Sequence, residues 1–299
     1  MSIAEREHPL MTAPAPVLTG AEPIGPYDFR ARARRPGRHP YLRADTGPGR
    51  DGDPMLLLEF ARQAEAYAAR AFYGVDAGAR TVLRRWSAAF AAAGVPEWVD
   101  LHGAVRPRTI GGRLRGMVYD LTLRAGDHRL GTVRMEMGYP RATAASGPPP
   151  ARSRAGFGAG LPSPGRPVDP RRVGRRRATD TVLRDLETAG GRIVAGLRVP
   201  VENPGLLGPA REQVPGMVLT EAARQIAALA VAEWGGPGPD RTVPAALAVT
   251  FADQADPAVP VVLTAGAGDR PGRVRVTVEQ GSAVIASADL TMTGVVVRP

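Results

Sequence analysis

Two stretches of the chain are apolar on nearly every helical face, and they set its organisation. Residues 55–74 and 217–236 carry alanine, leucine, methionine and valine through four or more helical turns. Asp53 ahead of Pro54 gives the first stretch an N-cap with proline at the opening helical position, and Pro215-Gly216 opens the second. Glycines close both (Gly74; Gly235, Gly236). A helix with so little polar surface belongs in a core. Downstream of each, the pattern changes to period two. Residues 113–123 and 130–137 alternate around a turn at 125–128; 273–278 and 283–292 alternate around a turn at 279–282. Residues 192–201 read as a strand ahead of the second helix.

The two helical stretches are copies. At a constant offset of 162, nine of the twenty positions of 55–74 are identical in 217–236, and Phe72 faces Trp234. Two copies of one unit predict two similar domains. Each unit is a long apolar helix with several antiparallel strands, and a sheet wrapped around the helix buries both surfaces. That is the hotdog architecture, here expected twice: an α+β tandem hotdog with repeat 1 at 21–140 and repeat 2 at 178–299. Residues 1–20 read as an N-terminal tail. Residues 141–177 hold nine arginines against one acid, Asp169, among prolines and glycines, and read as a disordered basic linker.

Composition narrows the chemistry. There is no cysteine, so thiol nucleophiles and thiolate metal sites are excluded. All 39 basic residues are arginine, which removes Schiff-base lysines and Walker-type phosphate loops. Four scattered histidines predict no metal site. Most of the net +10 sits in 141–177, and no nucleic-acid motif accompanies it, so no nucleic-acid partner is expected. The glycine-rich 156–160 has no helix after it, and no cofactor is expected. Residues 1–20 lack an apolar signal-peptide core, and no run approaches the ~20 apolar residues that cross a bilayer. These features predict a cytoplasmic protein with no membrane partner.

The candidate chemistry lies on the two helices. Glu59, Arg62 and Gln63 stand at i, i+3 and i+4, hence on one face; Glu221, Arg224 and Gln225 repeat the triplet. Charged groups on a buried helix are costly unless paired. The triplet therefore reads either as a structural ion pair with a buried amide, or as a site in which Glu59 or Glu221 is a base and Arg62 or Arg224 binds an anion. The helix starts offer a second feature. Backbone N–H groups at Met55, or at Gly216 and Met217, could hold a thioester oxygen. The arginines around 30–38 and 106–115 read as solvated faces, or as surfaces for an acidic carrier protein.

The string Asp53-Pro54-Met55-Leu56, Glu59, Arg62-Gln63 and its copy Val214-Pro215-Gly216-Met217, Glu221-Ala222-Ala223-Arg224-Gln225 resemble the A-factor biosynthesis (AfsA-type) hotdog family. Arg38-His39-Pro40-Tyr41 is also similar to that family, which makes His39 a candidate catalytic residue. The resemblance implies acyl transfer. A β-ketoacyl group passes from an acyl carrier protein or CoA thioester to the hydroxyl of a phosphorylated acceptor such as dihydroxyacetone phosphate, on the way to butenolide signalling molecules. Two other functions stay open: a non-catalytic double hotdog that binds acyl ligands or carrier protein, and a dehydratase or cyclase of a natural-product pathway. The second helix resembles carrier-protein dehydratases, but the histidine those enzymes place before Pro-Gly is missing from 206–213. A monomer suffices for this fold, because the repeats can pair within one chain.

Overall fold

A computed structural model describes residues 17–36, 53–76, 79–91, 94–140, 165–203 and 214–294. The described chain forms one twelve-stranded antiparallel sheet with two long helices. Repeat 1 supplies β1 (Leu18–Gly25), β2 (Asp28–Arg34), α1 (Met55–Ala71), β3 (Val82–Phe90), β4 (Trp98–Ile110), β5 (Arg113–Ala125) and β6 (His128–Gly138). Repeat 2 supplies β7 (Leu183–Ala189), β8 (Arg192–Leu197), α2 (Gly216–Glu233), β9 (Thr242–Phe251), β10 (Val261–Ala267), β11 (Arg273–Gln280) and β12 (Ala283–Gly294). The strand order β1-β2-β4-β5-β6-β3-β9-β12-β11-β10-β8-β7 is the same sequence of elements read outward from the middle. The tandem hotdog expected from the repeat is the fold observed.

The seam between repeats is the antiparallel pair β3–β9, with Trp86 opposite Val249 and Ala88 opposite Leu247. α1 packs on β1, β2, β5 and β6, and α2 packs on β7 to β12. Trp86 ties the two halves together from the seam. Its indole N–H donates to Thr220 Oγ1 at 3.1 Å, and its ring meets Phe251 edge-on with centroids 6.1 Å apart. Because β3 and β9 pair within the chain, no sheet edge is left open at the junction, where unpaired strands invite aggregation.

The alternating strands behave as their pattern predicts, with one face turned to the helices. Along β2, Phe29, Ala31 and Ala33 are buried while the intervening arginines are exposed. The β4–β5 hairpin turns on Gly111 and Gly112, both at positive φ (57° and 71°), which other residues adopt with strain. The strand expected over 192–201 ends earlier, at Leu197, where the backbone turns toward Pro200 and Asn203.

Two expected boundaries move. Val17, placed in the N-terminal tail, is a core residue, and its N–H is held by Gln63 Oε1 at 3.0 Å. Residues 165–177, assigned by composition to the disordered linker, are packed. Pro167 bridges to Arg184, Pro170–Val173 forms a single 3-10 turn, and Val173 and Arg175 are buried. The reason is local. Asp169 accepts the Arg171 N–H at 2.9 Å, Pro170 sits at the first position, and Gly174 at φ 68° ends the turn. Arginine content concealed those start and stop signals. The rest of the proposed linker, 141–164, lies outside the described residues.

Gly103 on β4 shows how tightly β2 and β4 close over the core. A Cβ there would run into the ring of the fully buried Phe29. Gly103→Ala is expected to lower stability by about 1–3 kcal/mol, the usual cost of overpacking, measured as the shift in urea midpoint. An unchanged midpoint would mean that the ring has room to move.

Candidate functional site

The triplet on α2 closes on itself through helical spacing. Arg224 Nε donates to Glu221 Oε2 at 2.9 Å, and Arg224 Nη2 and Gln225 Nε2 both donate to Oε1 at 2.7 Å. Arg175, delivered by the turn after β6, adds Nε and Nη2 to the same Oε1 at 3.1 and 2.9 Å. Its third nitrogen, Nη1, reaches Asp53 Oδ2 at 2.8 Å. Asp53 is the residue that opens α1, so one guanidinium joins the helix start of repeat 1 to the central carboxylate of repeat 2. Gln225 completes the set by accepting from the N–H of Val182 at 3.0 Å and donating to the Asp180 carbonyl at 2.7 Å.

All of this cluster is buried. Glu221 is fully enclosed, and the side chains of Arg175 and Arg224 are 5% and 4% exposed. Burial and the neighbouring Arg175 work against the charge on Arg224; Glu221 and Asp53 overcome them and hold it above the ordinary arginine range. Asp180, at the cluster's edge, is pushed up by burial against the opposing pull of Arg175.

The triplet on α1 has the same internal geometry and a different surrounding. Arg62 Nε and Nη2 donate to Glu59 Oε2 and Oε1 at 2.8 and 2.6 Å, and Gln63 Nε2 donates to Oε1 at 2.7 Å. Gln63 again pins the backbone ahead of the first strand, here at Val17. Glu59 is buried, but 41% of the Arg62 side chain is exposed. Arg62 begins a part-open stripe along α1 with Ala66, Tyr67 and Arg70, whereas every α2 residue from Met217 to Val231 is buried. The bidentate hold on Glu59 uses Nε and Nη2 of the guanidinium. Glu59 lifts the Arg62 pKa further, so this accessible cation is permanent.

A third group was not singled out by sequence. Glu65 stands about one turn beyond Arg62 on α1, is buried, and influences Tyr119 of β5 and Tyr139 after β6 electrostatically. Burial pushes its carboxyl up to about 7 against the pull of Arg62 and Arg70. The phenol oxygens of Tyr119 and Tyr139 lie 3.3 Å apart. Burial raises Tyr139 to about 12 and Tyr119 further, and Glu65 contributes to both shifts. In the repeat register Glu65 corresponds to Ala227, so the cluster belongs to repeat 1 alone.

Other expected positions fare unevenly. The Met55 N–H, expected as an oxyanion donor, already donates to Asp53 Oδ1 at 2.9 Å, because the aspartate caps the helix. Leu56 and Leu57 donate to the Asp53 and Pro54 carbonyls. At α2 the hydrogen bonds begin at Val218, and Gly216 is packed so closely that a Cβ would touch Leu83 and Phe251. His39 lies outside the described residues. The arginines of β2 and β4 largely pair with acids across the strands: Arg34 with Glu97, Arg32 with Asp100, Arg106 with Asp120. A groove of about 470 Å³ crosses the seam on the sheet face turned away from the helices, between the Asp120–Arg134 pair and Asp289. It holds none of the triplet residues.

The architecture and the paired helix triplets define the class: a tandem hotdog protein with one sealed and one accessible charged helix. Solved structures share the fold. They include a 12:0-ACP thioesterase from Umbellularia californica (TM-score 0.59, 12% identity, 91% of this chain and 99% of that one). A dehydratase domain of the CurK module of curacin polyketide synthase is a second (TM-score 0.51, 11% identity, 90% and 94%). The chain belongs to the A-factor biosynthesis hotdog family, whose domain model matches residues 17–139 and 159–296. A 2-oxo-3-(phosphooxy)propyl 3-oxoalkanoate synthase of Streptomyces griseus is 31% identical over 284 residues, covering 90% of this chain and 88% of the relative. The like-named protein of Streptomyces virginiae is 29% identical over 237 residues, covering 70% of each.

Two outcomes test this geometry. Arg175→Met removes the guanidinium shared by the buried Asp53 and Glu221 carboxylates and is expected to cost about 3–5 kcal/mol by chemical denaturation; a loss below about 1 kcal/mol would return the segment to the status of a linker. Glu65 gives a pH signature. Its folded pKa of about 7 lies above the ordinary 4.5, so its favourable contribution is complete below 4.5 and is lost as pH rises to about 7 and beyond. Relative to wild type, Glu65→Gln should therefore gain about 2–3 kcal/mol between pH 5 and pH 8. Parallel stability–pH curves for the two proteins would contradict this.

Proposed function

We propose that the protein is an acyltransferase that joins a 3-oxoacyl thioester to the hydroxyl of a phosphorylated hydroxy-ketone such as dihydroxyacetone phosphate, and that repeat 1 is the working half. Family membership supports the reaction class. The product named for the Streptomyces relatives is the ester of a 3-oxoalkanoic acid with a three-carbon keto phosphate. Forming such an ester from a thioester needs a cation for the phosphate, a group that takes the hydroxyl proton and a scaffold that orients both substrates.

The observation that carries the choice of repeat is the asymmetry of the two triplets. Arg224 spends its donors on Glu221 and the Val173 carbonyl inside the core, where no phosphate reaches it. Arg62 is held by Glu59, which Gln63 braces in turn, yet 41% of its side chain is exposed. A preorganised guanidinium loses little freedom when it binds a phosphate, and its fork matches phosphate oxygens. Arg70, two turns on, adds a second cation to the same stripe. Glu221 in this reading is a structural centre, and Glu59 positions Arg62.

The acyl donor in this reading is a carrier-protein or CoA thioester, which supports a cytoplasmic location. The β3–β9 pairing supports a monomer as the working unit. No helix of the described chain is long and apolar enough to cross a membrane.

Incubation with a 3-oxoacyl-pantetheine thioester and dihydroxyacetone phosphate, followed by mass spectrometry, is expected to yield the phosphorylated ester. Arg62→Ala should raise KM for the phosphate acceptor about tenfold or more and leave that for the thioester within about twofold, since one charged contact is worth about 1.5–3 kcal/mol. Thioester binding without ester formation would instead favour a non-catalytic acyl-binding protein.

A further inference from the structure

The β4–β5 hairpin is longer than its counterpart in repeat 2. Its strands run 13 residues each, against 7 and 8 in β10 and β11. The excess projects from the sheet. β2 pairs with β4 only as far as Ala104, and β6 pairs with β5 only as far as Gly116. Beyond those points residues 106–115 pair with one another. The last backbone hydrogen bond from outside is that of the Tyr139 N–H to the Arg115 carbonyl, at 2.8 Å. At the tip Ile110 is 71% exposed, beside the two left-handed glycines. A single exposed isoleucine is ordinary on a protein surface; this one is ringed by arginine.

The ribbon 106–115 contains four arginines and no acid. Arg106 is paired with Asp120 at 2.6 Å, and Arg108 lies 3.9 Å from Glu136. Arg113 and Arg115 have no carboxylate partner among the described residues. Arg115 is the extra residue of a bulge, since Arg108 faces Gly116 and Thr109 faces Leu114. A bulge re-aims a side chain out of the strand's alternation. Arg84, exposed on β3 and likewise without a carboxylate among the described residues, lies across Gly138 at the base of the ribbon: a Cβ on Gly138 would stand 2.7 Å from its Nε. The shorter hairpin of repeat 2 is balanced at its turn, where Asp269 meets Arg273 at 3.4 Å.

We propose that this ribbon is the docking surface for an acidic carrier protein that presents the 3-oxoacyl thioester to repeat 1. This rests on the acyl-transfer reading above and narrows its acyl donor to a protein-borne thioester. Guanidiniums without partners meet an acidic surface without first breaking an ion pair, and they steer it across a Debye length of about 8 Å at physiological salt. Ile110 adds an apolar contact, which a protein surface uses and a nucleic-acid backbone does not. The ribbon is continuous with β5, on which α1 packs, so a docked partner sits against the repeat that carries Arg62.

The test compares two acyl donors with dihydroxyacetone phosphate as acceptor: 3-oxoacyl-pantetheine, and the same acyl group on a type II fatty-acid acyl carrier protein. Ile110→Ser and Arg113→Glu change exposed side chains and should leave the urea midpoint unchanged. In the double variant, KM for the carrier-borne thioester should rise about tenfold or more, while that for the pantetheine thioester stays within about twofold. Added salt should raise the wild-type KM for the carrier-borne donor alone. A double variant with the wild-type KM for the carrier-borne donor would overturn the proposal. If wild type makes no ester from either donor, the acyl-transfer reading fails, and fluorescence anisotropy with labelled holo carrier protein decides the docking by itself. Binding that the double variant weakens upholds it. Binding that the variant leaves unchanged overturns it, as does an absence of carrier binding, including the case in which the ribbon instead holds duplex DNA or phosphatidylglycerol vesicles.

Discussion

The structure depends on one carboxylate taken out of water. Glu221 has no exposed surface, and an unpaired charge at such a place would be strongly destabilising. Its environment is therefore built to compensate: Arg224 and Gln225 from the same helix, and Arg175 from the segment that joins the repeats. That requirement propagates outward. Arg175 must be aimed inward, so residues 169–174 form a capped turn ending in a left-handed glycine. Its far nitrogen must also be met, and Asp53 at the start of α1 meets it while capping Met55. A single ionic centre thus fixes the inter-repeat crossing, the entry of α1 and, through Gln225, the backbone before β7.

Repeat 1 keeps the same triplet and uses it differently. Gln63 pins Val17 as Gln225 pins Val182, so the amide oxygen accepts from the backbone in both halves. What differs is the arginine. In α2 it is enclosed, and in α1 it borders a stripe where Arg62, Ala66, Tyr67 and Arg70 are only partly covered. Duplication explains how both roles arise from one motif. The sealed copy is joined to the start of α1 through Arg175 and Asp53, and the other keeps a partly exposed arginine. Glu65, with alanine at the matching position of repeat 2, is buried on the same helix.

Much of the fold was legible. The 162-residue offset, the alternating hairpins and the all-apolar helices specify two hotdogs, because burial patterns are set locally by side-chain period. The triplets were legible for the same reason: i, i+3 and i+4 must share a face. What was not legible depends on tertiary meeting. Arg175 lay in a stretch dominated by arginine and proline, and only the Asp169-Pro170 start and the Gly174 stop set it apart. Asp53 reads from sequence as a cap and gives no sign of a partner 122 positions away. Glu65 looks like an ordinary helical glutamate until β5 and β6 bring Tyr119 and Tyr139 to it. Assigning free N–H groups to Met55 failed because the cap that predicted the helix also consumed them.

The division of labour between the repeats is tested most directly by comparing Glu59→Gln with Glu221→Gln, reading unfolding free energy and ester formation per folded molecule on the same preparations. Glu221→Gln should lose about 3–5 kcal/mol, as expected when one partner of a buried ion pair is removed, and keep its turnover per folded molecule. Glu59→Gln should lose about 1 kcal/mol or less, since its arginine is part-exposed, yet bind the phosphorylated acceptor markedly more weakly. The opposite pattern, with turnover abolished at Glu221 and untouched at Glu59, would contradict the assignment of repeat 1 as the working half.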